Sequence, residues 1–125
     1  MRKIDVIIKR ADSKPYHTAI SDSLKNLQTI VGGYIETVGL FSNMIIICNE
    51  EGLIRGLPYN CNICGVDFYG DIIFVGVKGD EFDDIPCTFQ QFKEVFSGLF
   101  DMEAHAYKVL SEFYDNDAVN WGGNQ

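Results

Sequence analysis

Short apolar stretches separated by polar or glycine-rich turns dominate the chain, and their periods change from two to nearly four and back. Residues 3–9, KIDVIIK, are β-branched and apolar, as in a strand. After the polar turn RADSK, Pro15 opens PYHTAI, where Tyr16, Thr18 and Ile20 alternate with His17 and Ala19. Proline at the first position of a strand costs no ladder bond, so residues 3–20 predict a hairpin. Ser21, Asp22 and Ser23 are candidate N-caps for a helix over 23–31, with Leu24, Leu27 and Val31 on one face. Gly32 and Gly33 stop it, one of them in the left-handed conformation that glycine reaches cheaply. Residues 34–40 form the next strand, with Ile35 on one side and Tyr34, Glu36 and Val38 on the other. The continuous run MIIIC marks 44–49 as a strand buried on both faces. Residues 60–66 read as a loop and 71–77, DIIFVGV, as a strand in which Gly76 marks a bulge or a close backbone approach. Thr88 and Gln91 have capping-box spacing ahead of Phe89, Phe92, Phe96 and Leu99, predicting a helix over 88–98. A further amphipathic helix is predicted over 101–114.

These elements predict an α+β fold: a single compact domain over 1–115, with a flexible C-terminal tail at 116–125. Its mainly antiparallel sheet has about five strands, 3–9, 15–20, 34–40, 44–49 and 71–77, with the helices packed on one face. A chain of 125 residues can bury a sufficient core without disulfides or metal.

Charge narrows the function. The formal net charge is −8 and the pI about 4.5, which opposes direct binding of nucleic-acid phosphates or of an anionic membrane. Asp80, Glu81, Asp83 and Asp84 concentrate part of that charge. They read either as a solubilising surface or as an acidic face that imitates DNA or docks on a basic protein. No apolar run approaches ~18 residues, and the basic-flanked start has Asp5 inside and no cleavage signal. A cytoplasmic location with four reduced cysteines follows as the expectation.

The candidate chemistry is sparse. Cys61 and Cys64 form a CxxC, but zinc ribbons pair one such motif with another and no second pair exists, so no metal or cofactor is expected. No nucleophile, metalloprotease, P-loop or dinucleotide motif occurs, and catalytic residues are expected to be none. Glu36 and Glu50 can meet across neighbouring strands, which by itself is geometry and not an acid–base pair. Asn49, Glu50, Arg55 and Asn60 cluster around glycines after the buried strand, with Tyr34, Glu36 and Tyr59 near them in sequence. Amides and carboxylates can read hydroxyls, an arginine can clamp a phosphate, and a tyrosine can stack on a base, so the seven suit a nucleotide-like ligand. The competing reading is that Asn49 and Asn60 bond loop backbone while Arg55 pairs with Glu50 or Glu51.

The runs LQTIVGGYIETV, CNEEGLIRGLPYN and GDIIFVG resemble a small family of phages and mobile elements of Gram-positive bacteria, known by a domain-of-unknown-function label. The likeness covers about residues 3 to 96 and departs at CNIC and in the acidic C-terminal helix. It implies a compact α+β domain and a viral or mobile-element setting, and no known activity. Together, residues and resemblance predict a non-catalytic accessory protein, of counter-defence type, that sequesters a nucleotide-derived immune signal. Acidic inhibition of a host defence enzyme through Asp80, Glu81, Asp83 and Asp84 is the alternative, and a small nucleotide hydrolase the third reading. A homodimer is the expected assembly.

Overall fold

The structure is a computed structural model that describes residues 2–41 and 43–96. In order, β1 (Lys3–Lys9) and β2 (Tyr16–Ser21) form the leading hairpin, followed by α1 (Leu24–Val31), β3 (Ile35–Phe41) and β4 (Met44–Asn49). Then come β5 (Tyr59–Ile63), β6 (Val66–Tyr69), β7 (Ile72–Lys78) and β8 (Glu81–Asp83). A second helix, α2, is described over 89–96. The predicted helix at 101–114, the end of the 88–98 helix and the tail at 116–125 lie outside the described residues.

The main sheet runs β2-β1-β7-β4-β3, every neighbouring pair antiparallel, and β8 joins β7 beyond the stretch that pairs with β1. Strand β7 is central because Ile72, Ile73, Phe74 and Val75 are all fully buried and need cover on both faces. On one face Val6, Ile8, Ile47, Ile73 and Val75 pack against Leu27 and Val31 of α1. On the other, Ile7, Ile46, Ile72 and Phe74 pack against Phe92 and Phe96 of α2 and against the β5–β6 hairpin.

The fold is therefore the expected α+β domain with a mainly antiparallel sheet, but the helices do not share one face. Strands β4 and β7 are apolar at consecutive positions, so both sheet faces carry surface that must be covered, and α1 and α2 take one each. Leu24 departs from expectation too: it is exposed, and Leu27 and Val31 carry the buried stripe.

The helix ends follow local rules. Ser23 Oγ accepts the Asn26 amide at 3.2 Å, and Gly32, at φ 84°, caps the C-terminus with its N–H on the Gln28 carbonyl. Thr88 and Gln91 close a reciprocal capping box, Gln91 N to Thr88 Oγ1 at 3.0 Å and Thr88 N to Gln91 Oε1 at 2.9 Å. At Gly76 the backbone approach is close: an added Cβ would collide with the Asp84 carbonyl.

The expected loop at 60–66 is instead the β5–β6 hairpin. Its turn places Cys64 at φ 52° and Gly65 at φ 86°, the two left-handed residues of a tight hairpin turn, and Asn62 Oδ1 accepts the Gly65 amide.

Candidate functional site

The polar corner after β4 is built mainly to hold the chain. Asn49 is buried at the end of β4, where its Nδ2 donates to the Val31 carbonyl at 3.1 Å and its Oδ1 accepts the Glu51 amide at 2.7 Å. One amide thus ties the end of α1 to the turn leaving β4. Gly33 must lie against this side chain: a Cβ there would sit 2.8 Å from Asn49 Nδ2. Through residues 50–57 the chain coils tightly, with Arg55 N on the Glu51 carbonyl and Leu57 N on the Gly52 carbonyl. Arg55 is exposed and its Nε donates to Glu51 Oε1 at 3.0 Å.

Asn60 is the extra residue of a β-bulge, because β5 pairs Tyr59 with Tyr69 and then Cys61 with Phe68. The bulge turns its side chain inward, and Nδ2 donates to the carbonyls of Lys9 at 2.9 Å and Gly70 at 2.7 Å. That fastens the hairpin to the end of β1. The Asn60 Oδ1 is buried without a partner among the described residues. Tyr59 packs edge-on against Tyr69 and its hydroxyl donates to Asp67 Oδ1 at 3.3 Å.

A cleft of about 280 Å³ opens between the β3–β4 side of the sheet and the β5–β6 hairpin. Val38, Cys48 and Phe68 line its apolar part, and Glu36, Glu50 and Asp67 bring carboxylates to it. Leu53, Val66 and Tyr69 complete much of the rim, Leu53 being 67% exposed. No Lys, Arg or His is among the described lining residues. Asp67 is held by Asn62 Nδ2 at 2.9 Å in addition to Tyr59. The Cys48 thiol is pushed up to about 11 by burial and, secondarily, by the neighbouring Glu36 carboxylate.

The seven residues expected to form one pocket thus divide. Glu36, Glu50 and Asn49 line the cleft. Arg55, Asn60, Tyr34 and Tyr59 are not part of its lining. The competing reading of the corner describes Asn49, Asn60 and Arg55: both amides are committed to backbone and the guanidinium to Glu51. Both amides bond within the fold, as buried amides must, and the Arg55 guanidinium, expected to clamp a phosphate, is paired with Glu51. Asp67 was not among the expected residues, since it falls in the stretch read as following a loop. The alternation Val66, Asp67, Phe68, Tyr69 is the signal that locates it.

The acidic segment is also partly spent. Arg2 pairs with Asp83 at 2.7 Å and with Glu81 at 3.6 Å, while Asp84 Oδ1 accepts the Asp5 amide at 2.8 Å. Asp80 is exposed. The two CxxC thiols separate, Cys61 fully buried and Cys64 exposed at the hairpin turn. Among the described residues no three His, Cys, Asp or Glu side chains are grouped to hold a metal ion, and no helix is long and apolar enough to cross a membrane.

Fold and cleft define a small α+β domain carrying an acidic depression with an apolar floor beside the edge of its sheet. The chain belongs to the family described as Domain of unknown function (DUF3846), whose profile matches residues 1–97. No curated protein and no solved structure matches it.

Proposed function

We propose that this protein works by binding a protein partner and not by catalysis, taking a lysine or arginine side chain into the acidic cleft. The observation that carries this reading is the lining itself: Glu36, Glu50 and Asp67 stand around an apolar floor with no described basic residue to neutralise them. A cation that enters gains charge-assisted hydrogen bonds, and its aliphatic stem lies along Val38 and Phe68. Catalysis has little support at this place. The Cys48 thiol, held near 11, is a poor nucleophile at neutral pH, and no histidine is among the described lining. The motif resemblance to phage and mobile-element proteins supports a counter-defence setting, with a host defence enzyme as the class of partner.

This order reverses the expectation that placed a nucleotide first. A phosphate entering the cleft meets carboxylates, and Arg55, the residue meant to clamp it, is engaged by Glu51. The test is co-purification from the bacterial host, comparing the natural chain with a Glu36→Lys/Glu50→Lys variant. The expected partner is retained at low salt, lost in the variant, and lost near 1 M salt, where the screening length is only about 3 Å. A partner kept by the charge-reversed variant would overturn the reading. So would a retained metabolite released by Arg55→Ala, which would restore sequestration.

A further inference from the structure

The cleft opens beside an edge of the main sheet. Strand β3 is the last strand of the main sheet, and no other described strand pairs with its outer side. Its register fixes which backbone groups face outward. The Glu50 amide donates to the Tyr34 carbonyl, so Tyr34 and Glu50 are a hydrogen-bonded pair. In an antiparallel ladder such pairs alternate, so Glu36 bonds opposite Cys48 and Val38 opposite Ile46. The N–H and C=O groups of Ile35, Thr37 and Gly39 therefore point away from β4. A register shift after Gly39 ends the regular edge there. Tyr34 and Phe41, 67% and 55% exposed, stand at its two ends.

Edges of this kind are commonly blunted by lysine, proline or an inward charge, and residues 35–39, IETVG, contain neither lysine nor proline. Side chains on β3 alternate between faces: Ile35 packs on the α1 side, and Val38 on the opposite side with the hairpin. Glu36 and Val38 both line the cleft. Any strand added to this edge sends the residues opposite Glu36 and Val38 over the cleft mouth.

We infer that the partner binds by strand addition: an extended segment pairs antiparallel with Ile35–Gly39, places Lys or Arg opposite Glu36, and an apolar residue two positions earlier opposite Val38. Antiparallel addition continues the ladder direction of every other pair in the sheet. Main-chain bonds supply affinity, and alternate side chains supply specificity. Charge selects the occupant. A second copy would bring two acidic clefts together on chains of net charge −8, whereas a basic segment neutralises Glu36 and its neighbours.

The inference rests on the cleft reading, and one set of probes separates the two. The protein is the full chain, and the probe is a fluorescein-labelled peptide, Thr-Val-Thr-Lys-Thr-Val-Thr-Lys-Thr, followed by anisotropy. Its counterpart carries glutamate in place of lysine. The lysine peptide is expected to bind at least tenfold tighter, and Glu36→Lys to reverse that preference. Thr37→Pro removes an outward N–H without breaking the β4 ladder, and should weaken the lysine peptide at least tenfold. Should that variant not fold, the same peptide N-methylated at its threonines, the residues that would bond to β3, must lose binding equally. Full affinity for the N-methylated peptide, or for a folded Thr37→Pro protein, overturns strand addition. If N-acetyl-arginine methylamide still perturbs the cleft, the cleft reading survives that failure. A dimer in sedimentation whose β3 amides are protected from exchange overturns the heterologous partner in favour of a second copy.

Discussion

Asn49 and Asn60 on one hand, and Glu36, Glu50 and Asp67 on the other, are polar groups placed beside the same apolar sheet, yet they are used differently. The two amides are buried and hold backbone carbonyls of α1, β1 and the turn after β6. Each fastens one piece of irregular chain to the sheet. The carboxylates stand at a cleft, Glu36 and Glu50 exposed and Asp67 half-buried. An amide removed from water has to find its partners inside the protein, so its chemistry is consumed by folding. A carboxylate at a cleft mouth keeps its hydration and can exchange it for a ligand.

The comparison makes graded predictions. Asn60→Ala should have the largest effect on stability, since it removes both side-chain bonds to the Lys9 and Gly70 carbonyls: about 2–3 kcal/mol lost in urea unfolding. Its Oδ1, without a partner among the described residues, offsets part of the cost, and Asn60→Asp, which exchanges the donor for a charge, should be worse. Asn49→Ala follows at about 1–3 kcal/mol, because the Val31 carbonyl and the Glu51 amide both lose their side-chain partner. The joint substitution Glu36→Gln/Glu50→Gln should leave stability within roughly 0.5 kcal/mol while abolishing the preference for cationic probes. A loss of stability like that of Asn60→Ala would erase the distinction between the two groups. Arg55→Ala should change stability by less than about 0.5 kcal/mol, as expected of an exposed i,i+4 pair.

Cysteine chemistry gives the smallest and sharpest contrast. At pH 8 iodoacetamide should modify exposed Cys64 first and leave Cys48 unmodified in the folded protein. The sign of the linked pH effect is fixed. Folding raises the Cys48 thiol from 9.0 to about 11, so the unfolded chain loses its proton first and stability falls as pH rises from about 9 to about 11. A melting temperature that rises over that window would contradict the placement of Cys48.

Much of this architecture could be read from residue order. The β1–β2 hairpin, the glycine stop at Gly32 and the Thr88–Gln91 box depend on neighbours in sequence, and local chemistry specifies them. The unbroken apolar runs of β4 and β7 already demanded cover on two faces, which a one-sided helix layer does not supply. What was not legible depends on distant partners. Residues 60–66 become strands through a bulge at Asn60 that bonds to Lys9, fifty-one positions away, and a turn that puts Cys64 in a left-handed conformation. The same hairpin delivers Asp67 to the cleft, so missing the hairpin meant missing that carboxylate. At the corner, residue types alone could not decide between ligand contacts and backbone contacts. Burial decides it for the two amides, and the Glu51 pair accounts for Arg55.

The most direct test is an amide chemical-shift titration of the full chain with two small probes, N-acetyl-arginine methylamide and adenosine monophosphate. The arginine derivative should move the amides of Glu36, Val38, Cys48, Glu50 and residues 66–69 saturably, and the nucleotide should leave them in place. Shifts from the nucleotide centred on Arg55, with none from the arginine derivative, would contradict the account.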